Sequence, residues 1–336
     1  MVSRSRSSEP PESRAGVDLT NLDGPLFEGS DATKRDLVDY LDQVADRLVR
    51  VLTDRPLSVI RVRPGQPPFM QKNVPKYTPD WVRTTPVWAQ ASHREISYAL
   101  CNDRRTLLWF ANQRAVEYHP TLIPLNSVHP SHLVLDLDPP AGAAFDVVVS
   151  TAQLVRRALS DAGLSAAVKT SGAKGLHIYM PLDDQAQVED VAAATRAIAV
   201  RAERLDPTIA TTAYIVEDRE GKVFLDSTRA GGATVVAAYS PRVRPGATVS
   251  FPLDWDQLEN VTPADFTIRN AAALLGDTDP WQELMPGPQT LPADLIEEGH
   301  TIPVARVQAM HEGKRRARAK RASEQVAPEG DAGADG

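Results

Sequence analysis

The run HLVLDLD at residues 132–138, followed at once by Pro139 and Pro140, decides the fold around it. Successive side chains of a strand point to opposite faces, with a rise of about 3.3 Å per residue, so Asp136 and Asp138 share one face with carboxylates roughly 7 Å apart. Apolar strands seldom carry two carboxylates unless a cation compensates them, because an unpaired buried charge is costly. We therefore predict a strand that ends in a metal site, although aspartates that cap a loop give the same pattern.

The composition is that of a soluble globular protein, with 336 residues, 42% of them hydrophobic and 24% charged. No apolar run approaches the roughly 18 residues of a membrane span, and no apolar segment follows the N-terminal arginines, so we expect a cytoplasmic protein without a membrane segment. The single cysteine, Cys101, excludes an intramolecular disulfide and a cysteine-based zinc site.

The net charge of −7 argues against a protein whose whole surface coats nucleic acid, but it permits local basic patches. The clearest patch lies at residues 314–321, where six of eight residues are Lys or Arg. This patch is interpreted either as a solvated chain end or as an auxiliary nucleic-acid contact.

The pattern of apolar residues predicts an α+β fold with a mixed sheet, because strands alternate with helices and some adjacent strands lack a helix between them. Residues 1–16, rich in Ser, Arg, Pro and Glu, are predicted to be disordered. Predicted helices span residues 34–52, capped by Thr33 or Asp31, 145–162 and 188–205. Predicted strands span residues 57–62, 95–100, 133–138, 165–169, 176–181, 222–226 and 234–239. The last two are predicted to pair across Gly231 and Gly232.

A second motif, KTSGAKGLH at residues 169–177, places two glycines between two predicted strands. Glycines let backbone N–H groups approach an anion, and Lys174 and His177 add positive charge for phosphate oxygens. An ordinary hairpin turn is the alternative, and the motif has neither P-loop spacing nor the GxGxxG of a dinucleotide site.

A third motif is an apolar strand that ends in Asp226 and has Arg219 and Lys222 near its start. Three strand-borne carboxylates around a phosphate-binding turn are what two-metal phosphoryl transfer requires. A metal-dependent phosphoesterase also fits the aspartates, although it would not need the triphosphate turn.

Taken in order, the motifs make the chain resemble the polymerase domain of bacterial ligase D, in the archaeo-eukaryotic primase superfamily. The resemblance runs from about residue 19 to about residue 303. The motifs that carry it are LTN (19–21), TK (33–34), QKN (71–73), PDWV (79–82), LLWFAN (107–112), EYHP (117–120), DLDP (136–139), KTSGAKGLH (169–177), GKVFLD (221–226) and YSPRVRP (239–245).

The resemblance implies a primase-like core of mixed and antiparallel sheets flanked by helices. It also implies template-directed transfer of nucleotides, from NTPs or dNTPs, to a primer 3′-hydroxyl with Mn²⁺ or Mg²⁺. The family's metal ligands match Asp136, Asp138 and Asp226. Its nucleotide-binding residues match His119, Ser171, Gly172, Lys174, Gly175, His177, Arg219 and Arg242. The predicted DNA contacts are Asn21, Lys34, Phe69 and Lys72.

The implied partners are gapped or broken DNA, Ku and a separate DNA ligase, for a monomeric enzyme beside the bacterial nucleoid. Residues 17–303 would form the catalytic domain and residues 304–336 a basic, flexible tail. The chain contains no Lys-x-Asp-Gly adenylation motif, so we expect a stand-alone repair polymerase without a ligase module.

Four positions depart from the family pattern. Gly24 stands where the family has a second lysine for a 5′-phosphate, which predicts weaker recognition of that phosphate. Met70 replaces the second of two phenylalanines that stack on the template, and Arg229 and Ala230 replace a Gln and an Asn. These substitutions motivate the alternative of a catalytically silent adaptor that binds DNA ends.

Overall fold

The computed structural model describes residues 12–89, 93–230, 234–304 and 310. Residues 1–11 and most of the predicted tail, including the basic patch at 314–321, lie outside this described part of the chain. Within it, the helices are all too short or too polar to cross a membrane.

The strands of the described residues fall into a two-stranded hairpin and two larger sheets. In chain order they are β1 (Ser13–Arg14), β2 (Val17–Asp18), β3 (Leu57–Arg63), β4 (Gln66–Gln71), β5 (Thr84–Ala89), β6 (Arg94–Ala99), β7 (Ala115–Pro120), β8 (His132–Asp138), β9 (Ala167–Thr170), β10 (Leu176–Pro181), β11 (Ala210–Thr211), β12 (Val223–Asp226) and β13 (Pro252–Leu253).

The six-stranded sheet has the order β11-β12-β8-β10-β9-β13 and carries the motifs singled out above. Its central strand β8 pairs antiparallel with β10 on one side and β12 on the other. Only the β11–β12 pair is parallel among the described strands of this sheet. Leu133, Leu135 and Leu137 of β8 are buried on one face, so the alternate residues Asp136 and Asp138 share the other face, as predicted.

The five-stranded sheet is antiparallel and is built around β3, which lies between β4 and β7. Strand β6 joins β3 through the pair Leu57 and Ala99, and β5 pairs with β6 along its length. No strand was predicted in the proline-rich region at 64–86, between the predicted strands at 57–62 and 95–100. Instead it contains β4 and begins β5, because prolines at the ends or edges of strands remove no essential hydrogen bond.

The helices are α1 (Lys34–Gln43), α2 (Ala45–Leu52), α3 (Arg104–Asn112), α4 (Phe145–Asp161), α5 (Val188–Leu205), α6 (Ala271–Leu275), α7 (Pro280–Leu284) and α8 (Ala293–Thr301). The long helices α4 and α5 pack against each other and against β8, and α8 covers α5. Helix α3 packs against α1 and β7. Helices therefore cover both sheets, which confirms the predicted α+β class.

A single cluster of buried apolar side chains connects the two sheets and their helices. Tyr40 of α1 donates a buried hydrogen bond of 2.8 Å to the carbonyl of Tyr239, which ties the helical layer to the segment between the sheets. Cys101 is fully buried in this core, and burial raises the pKa of its thiol. The buried side chains of this cluster run from Val17 to Leu295 along the described chain.

The predicted helix at 34–52 is two helices that meet at Val44. Thr33 caps α1 in a reciprocal capping box with Asp36, which confirms one of the two predicted caps. Val44 ends α1 by donating to the Tyr40 carbonyl and begins α2 by accepting from Leu48. The apolar residues at helical spacing still face the core on both sides of this break.

The predicted hairpin between 222–226 and 234–239 is wrong. Strand β12 pairs with β8, whereas Val235 and Ala237 donate to the carbonyls of Pro120 and Tyr118 in β7. The local turn signal is Gly231 and Gly232, which lie outside the described residues. Long-range pairing with two different sheets overrides this signal.

The predicted disordered segment is also shorter than expected on its C-terminal side. Ser13–Arg14 pairs with Val17–Asp18, and Leu19 donates to the Glu12 carbonyl. Arg14 reaches Asp39 and Asp42 of α1, so residues 12–18 are held against the first helix by ion pairs.

Candidate active site

Strand register places four polar residues in one row across the six-stranded sheet. Asp226 of β12 lies opposite Asp136 of β8, Asp136 lies opposite His177 of β10, and His177 lies opposite Lys169 of β9. Directly opposed residues point to the same face of a sheet. Three of the sequence motifs thus meet on one surface.

Asp136 and Asp226 are linked by one arginine. Nη2 of Arg229 lies 2.7 Å from Oδ2 of Asp136 and 2.8 Å from Oδ2 of Asp226. The other oxygen of Asp226, Oδ1, accepts from the backbone N–H and the hydroxyl of Thr228 at 2.8 and 2.6 Å. Burial opposes ionisation of Asp136, but His177 and Arg229 outweigh it and hold the pKa of Asp136 well below its ordinary value.

Asp138 stands apart from this pair and is the most exposed of the three aspartates. Its Oδ2 accepts from Nη1 of Arg219 at 3.2 Å. The Arg219 guanidinium lies 3.9 Å above the ring of Phe224, the residue opposite Asp138 in the adjacent strand. Arg219 is therefore fixed beside the strand end by stacking and by charge.

Lys169 and His177 form a buried chain behind Asp136. Lys169 Nζ lies 2.9 Å from Nδ1 of His177 and donates to the Ser250 hydroxyl at 2.6 Å. The other ring nitrogen of His177, Nε2, lies 3.3 Å from Oδ1 of Asp136. A donor at Nδ1 and a carboxylate at Nε2 favour the tautomer with the proton on Nε2.

Burial and the neighbouring Lys169 lower the pKa of His177 to about 4. His177 is thus a neutral donor to Asp136 and not a permanent phosphate-binding cation. Lys169 was not among the predicted site residues. A lysine within the apolar strand β9 does indicate, in the sequence alone, a charged group that needs a buried polar partner.

The turn between β9 and β10 is closed by its own hydrogen bonds, which engage two of the backbone N–H groups that were predicted to meet an anion. The Ser171 hydroxyl accepts from the backbone N–H groups of Ala173 and Gly175. A Cβ atom at Gly175 would lie 1.8 Å from the Leu137 carbonyl, so only glycine fits beside β8. Gly172 adopts φ +66°, and Lys174 is exposed at the tip of the turn.

The second sheet contributes a carboxylate that sequence reasoning missed. Glu117 of β7 is 4% exposed, lies 2.9 Å from His119 Nε2 and 3.1 Å from Arg242 Nε, and accepts from the Val243 backbone. Burial alone would raise the pKa of Glu117, but the hydrogen bond with His119 and the charge of Arg242 lower it to about 2.

Arg242 in turn donates to the Ser171 carbonyl at 2.5 Å, so this cluster joins β7 to the turn. The signal that could have revealed Glu117 is its place in an apolar strand, two residues before His119 on the same face.

These groups surround an open cavity of about 790 Å³. Its wall contains three aspartates and five basic side chains, with Ser171, Gly175 and His177 between them. The charged lining residues are Asp136, Asp138, Lys174, Arg219, Asp226, Arg229, Arg242 and Arg244. A surplus of basic over acidic groups suits a polyanionic ligand that arrives with cations. Of the predicted nucleotide-binding residues, His119 and Gly172 are not on the wall. His119 contacts Glu117, which pairs with Arg242, and the Gly172 carbonyl accepts from the Thr248 hydroxyl.

A model of the family described as "LigD, primase-polymerase domain" matches residues 33–281, which is most of the chain. The chain belongs to the LigD primase-polymerase family.

Curated LigD proteins are similar to this chain over the same region. The Bifunctional non-homologous end joining protein LigD of Bacillus subtilis is 36% identical over 257 residues, 75% of this chain and 41% of the relative. The Multifunctional non-homologous end joining DNA repair protein LigD of Mycobacterium tuberculosis is 33% identical over 258 residues, 73% of this chain and 34% of the relative. The chain thus spans about a third to two fifths of these relatives.

A solved structure, the Polymerase Domain from Mycobacterium tuberculosis Ligase D in complex with DNA, has the same fold. The TM-score is 0.73 at 30% sequence identity, over 80% of this chain and 97% of the solved chain. The likeness covers almost the whole of that LigD polymerase domain, which confirms the predicted primase-like architecture.

The LigD family generally uses divalent metals, and the three aspartates offer the oxygen donors that Mg²⁺ and Mn²⁺ prefer. Asp136 and Asp226 present facing carboxylate oxygens, so the donor chemistry fits such an ion. As the side chains stand, no group of three or more His, Cys, Asp or Glu within the described ranges is close enough to hold a metal. Arg229 pairs with Asp136 and Asp226, and Arg219 pairs with Asp138.

The predicted DNA contacts lie on other elements. Lys34 is 2% exposed, and its Nζ donates to the Thr20 carbonyl at 2.5 Å and to Asn112 Oδ1 at 2.6 Å. Asn21 is exposed with φ +52°, and Lys72 is exposed just after β4. Phe69 lies on β4, half-buried, with the Arg63 guanidinium 4.7 Å from its ring centre.

Proposed function

We propose that the chain is a template-directed nucleotidyltransferase that adds NTPs or dNTPs to a primer 3′-hydroxyl in DNA end joining or short-gap repair. The observation that carries this proposal is the cavity in which strand-end aspartates face the Ser171 turn and a surplus of basic side chains. Family membership and the DNA-bound LigD neighbour support the same chemistry.

Asp136, Asp138 and Asp226 would hold Mn²⁺ or Mg²⁺. When bound, such ions lower the pKa of an attacking hydroxyl and neutralise a leaving pyrophosphate. Lys174, Arg219 and Arg242 would bind the triphosphate, each a donor for phosphate oxygens. The nucleophile is the primer's own oxygen, so the protein needs to supply position and charge but no nucleophilic side chain.

Gapped or broken DNA is the proposed partner, bound through the exposed faces near Asn21, Lys72 and Phe69. Stacking of a template base on one aromatic ring is worth about 1–3 kcal/mol, which one phenylalanine can supply. Ku and a separate ligase remain predictions that rest on the end-joining relatives.

Replacing Asp138 tests the chemistry with the least risk to the fold. Asp138 is 59% exposed and its one described ion pair is with Arg219. Asp138→Asn removes a charged oxygen ligand without changing shape, so we expect primer extension to fall by more than about a hundredfold. The measurement is radiolabelled primer extension with Mn²⁺ and with Mg²⁺, together with pyrophosphate release.

The matched control is Asp277→Asn, because Asp277 is exposed and lies outside the cavity wall. It should leave extension unchanged. Substantial extension by a folded Asp138→Asn protein would refute the metal assignment. Release of phosphate or a nucleoside monophosphate, rather than pyrophosphate, would support a phosphoesterase instead.

One observation favours a second candidate, a catalytically silent adaptor at DNA ends. Arg229 neutralises Asp136 and Asp226 within the protein, as a structural ion pair would in a site that has lost its chemistry. Stoichiometric DNA binding by the unaltered chain without nucleotide incorporation in Mn²⁺ would establish the adaptor over the polymerase.

A further inference from the structure

Arg229 occupies the position between the two aspartates that a bridging cation requires. Each carboxylate has one oxygen already engaged, Oδ1 of Asp136 beside His177 and Oδ1 of Asp226 by Thr228. The remaining oxygens, both Oδ2, face each other across neighbouring strands, and both contact the same nitrogen of Arg229. Any cation held by these two oxygens must lie where that nitrogen lies.

The attachment of Arg229 is confined to the two carboxylates. Its Nε is buried and has no hydrogen-bond partner among the described residues. Its side-chain hydrogen bonds and ion pairs within the described chain are those with Asp136 and Asp226. A guanidinium fixed at one end only can leave its site when those carboxylates gain another cation.

The cavity offers the displaced guanidinium a new partner once a nucleotide is present. Arg229 lines the same wall as Lys174, Arg219 and Arg242, which face the space proposed for the triphosphate. A phosphate oxygen accepts readily from a guanidinium, so a bound triphosphate would replace the lost ion pairs. A cation without nucleotide provides no such replacement.

We propose that Arg229 competes with a divalent cation for Asp136 and Asp226, and thereby makes cation binding depend on nucleotide binding. The inference rests on the proposed function for the identity of the ligands. A cation alone binds weakly because it must expel Arg229, and nucleotide strengthens cation binding because it accepts the expelled guanidinium. By linkage, the cation strengthens nucleotide binding by the same factor.

The test is a titration of the full chain with Mn²⁺, in which electron paramagnetic resonance measures free Mn²⁺. Arg229→Gln should bind Mn²⁺ alone at least about tenfold more tightly than the unaltered chain, because a charge-assisted contact no longer opposes the ion. Addition of α,β-methylene-ATP should tighten Mn²⁺ binding in the unaltered chain by about tenfold more than in Arg229→Gln. Equal or weaker Mn²⁺ binding by a folded Arg229→Gln protein overturns the proposal.

Arg244→Gln is the matched control, because Arg244 lines the same cavity and makes no ion pair with a described carboxylate. It removes the same charge from the same wall and should change Mn²⁺ affinity by less than about threefold. An equal gain in both variants would mean that only the general field had changed, which also overturns the proposal.

Thermal melting checks the fold of each variant. Without Arg229 the two carboxylates repel, so the midpoint of Arg229→Gln should fall without Mn²⁺ and recover with it. If Arg229→Gln does not fold, Arg229→Lys keeps the charge but loses the planar fork. It should bind Mn²⁺ at least about threefold more tightly than the unaltered chain, and no gain would overturn the proposal.

Mn²⁺ binding and primer extension separate this inference from the proposed function. A chain that extends primers but shows no gain of Mn²⁺ affinity in Arg229→Gln retains its function and refutes the inference. A chain that gains affinity in Arg229→Gln but never incorporates nucleotides refutes the polymerase and leaves the competition established.

Discussion

At the scale of single residues, Glu117 connects the two sheets at the edge of the site. Its carboxylate contacts the ring of His119 on its own strand and forms an ion pair with Arg242. Arg242 also donates to the Ser171 carbonyl. A buried carboxylate with several donors stays ionised, and its loss leaves those donors without an acceptor. Glu117 therefore positions Arg242 and contributes stability at the same time.

The effect of Glu117 should depend on pH. Its folded pKa of about 2 lies below the ordinary 4.5, so the stability it provides is fully present above pH 4.5 and is lost as pH falls toward 2. Glu117→Gln should lower the free energy of unfolding by about 3 kcal/mol at pH 6, with a smaller difference at pH 3. Urea denaturation across this range measures it.

The exposed variant Asp277→Asn is the control, and it should stay within about 0.5 kcal/mol of the unaltered chain at every pH. A constant difference between Glu117→Gln and the unaltered chain from pH 6 to pH 3 would contradict the assigned ionisation.

The sequence predicts which residues carry charge at the site but not which of them pair. Asp136 and Asp138 were predicted from alternation in one apolar strand and Asp226 from the end of another. The structure brings Asp136 and Asp226 together. The link through Arg229 joins positions 93 residues apart, and the role of Lys169 depends on strand order. Neither the Arg229 link nor the role of Lys169 can be predicted from local spacing. The partners of the aspartates could therefore be identified only in the folded chain.

At the scale of elements, the turn between β9 and β10 is shaped by its contact with β8. Gly175 lies against the Leu137 carbonyl, between the two aspartates in sequence. This contact fixes the turn close to the strand that carries Asp136 and Asp138. The strand–turn–strand pattern was predictable from residues 165–181, whereas the pairing of β12 with β8 was not, because a nearby glycine pair suggested a local hairpin.

Gly175→Ala tests this packing. A Cβ placed 1.8 Å from a carbonyl oxygen cannot be accommodated without moving the backbone, so we expect destabilisation by about 3 kcal/mol and weaker nucleotide binding. Thermal melting and nucleotide titration measure the two effects. Gly287→Ala is the control, because a Cβ there meets nothing within 4 Å, and its melting point should be almost unchanged. A melting point of Gly175→Ala equal to that of Gly287→Ala would contradict the close contact.

At the scale of the whole molecule, Arg114 and Lys34 bring two positive charges close to Gly24, on elements away from the cavity. Arg114 donates to the carbonyls of Pro25 and Leu26, and its Nη2 would lie 3.0 Å from a Cβ at Gly24. Neither Arg114 nor Lys34 has a carboxylate partner among the described ion pairs. The guanidinium therefore lies beside the position where the family carries its second lysine.

This arrangement predicts that recognition of a 5′-phosphate is retained through Arg114, contrary to the expectation from Gly24 alone. Gapped DNA with a 5′-phosphate should bind more tightly than the same DNA without it. Arg114→Gln should lower this affinity ratio about tenfold. Burial and Arg114 lower the pKa of Lys34 to about 8, so the preference should also weaken as pH rises through that value. Fluorescence anisotropy with both DNAs measures it.

Arg157→Gln, on the exposed side of α4, is the control and should keep the preference. An unaltered chain that binds both DNAs equally would show that Gly24 has indeed removed the phosphate site.

The buried Cys101 makes the molecule convenient for labelling. It is the sole cysteine of the sequence, it is inaccessible, and burial raises its pKa, so maleimide dyes should leave the native protein unmodified. One added cysteine then defines one dye position. Val216 lies on the cavity wall and is 67% exposed. A dye on a cysteine at this position would report nucleotide binding in real time in single-molecule measurements.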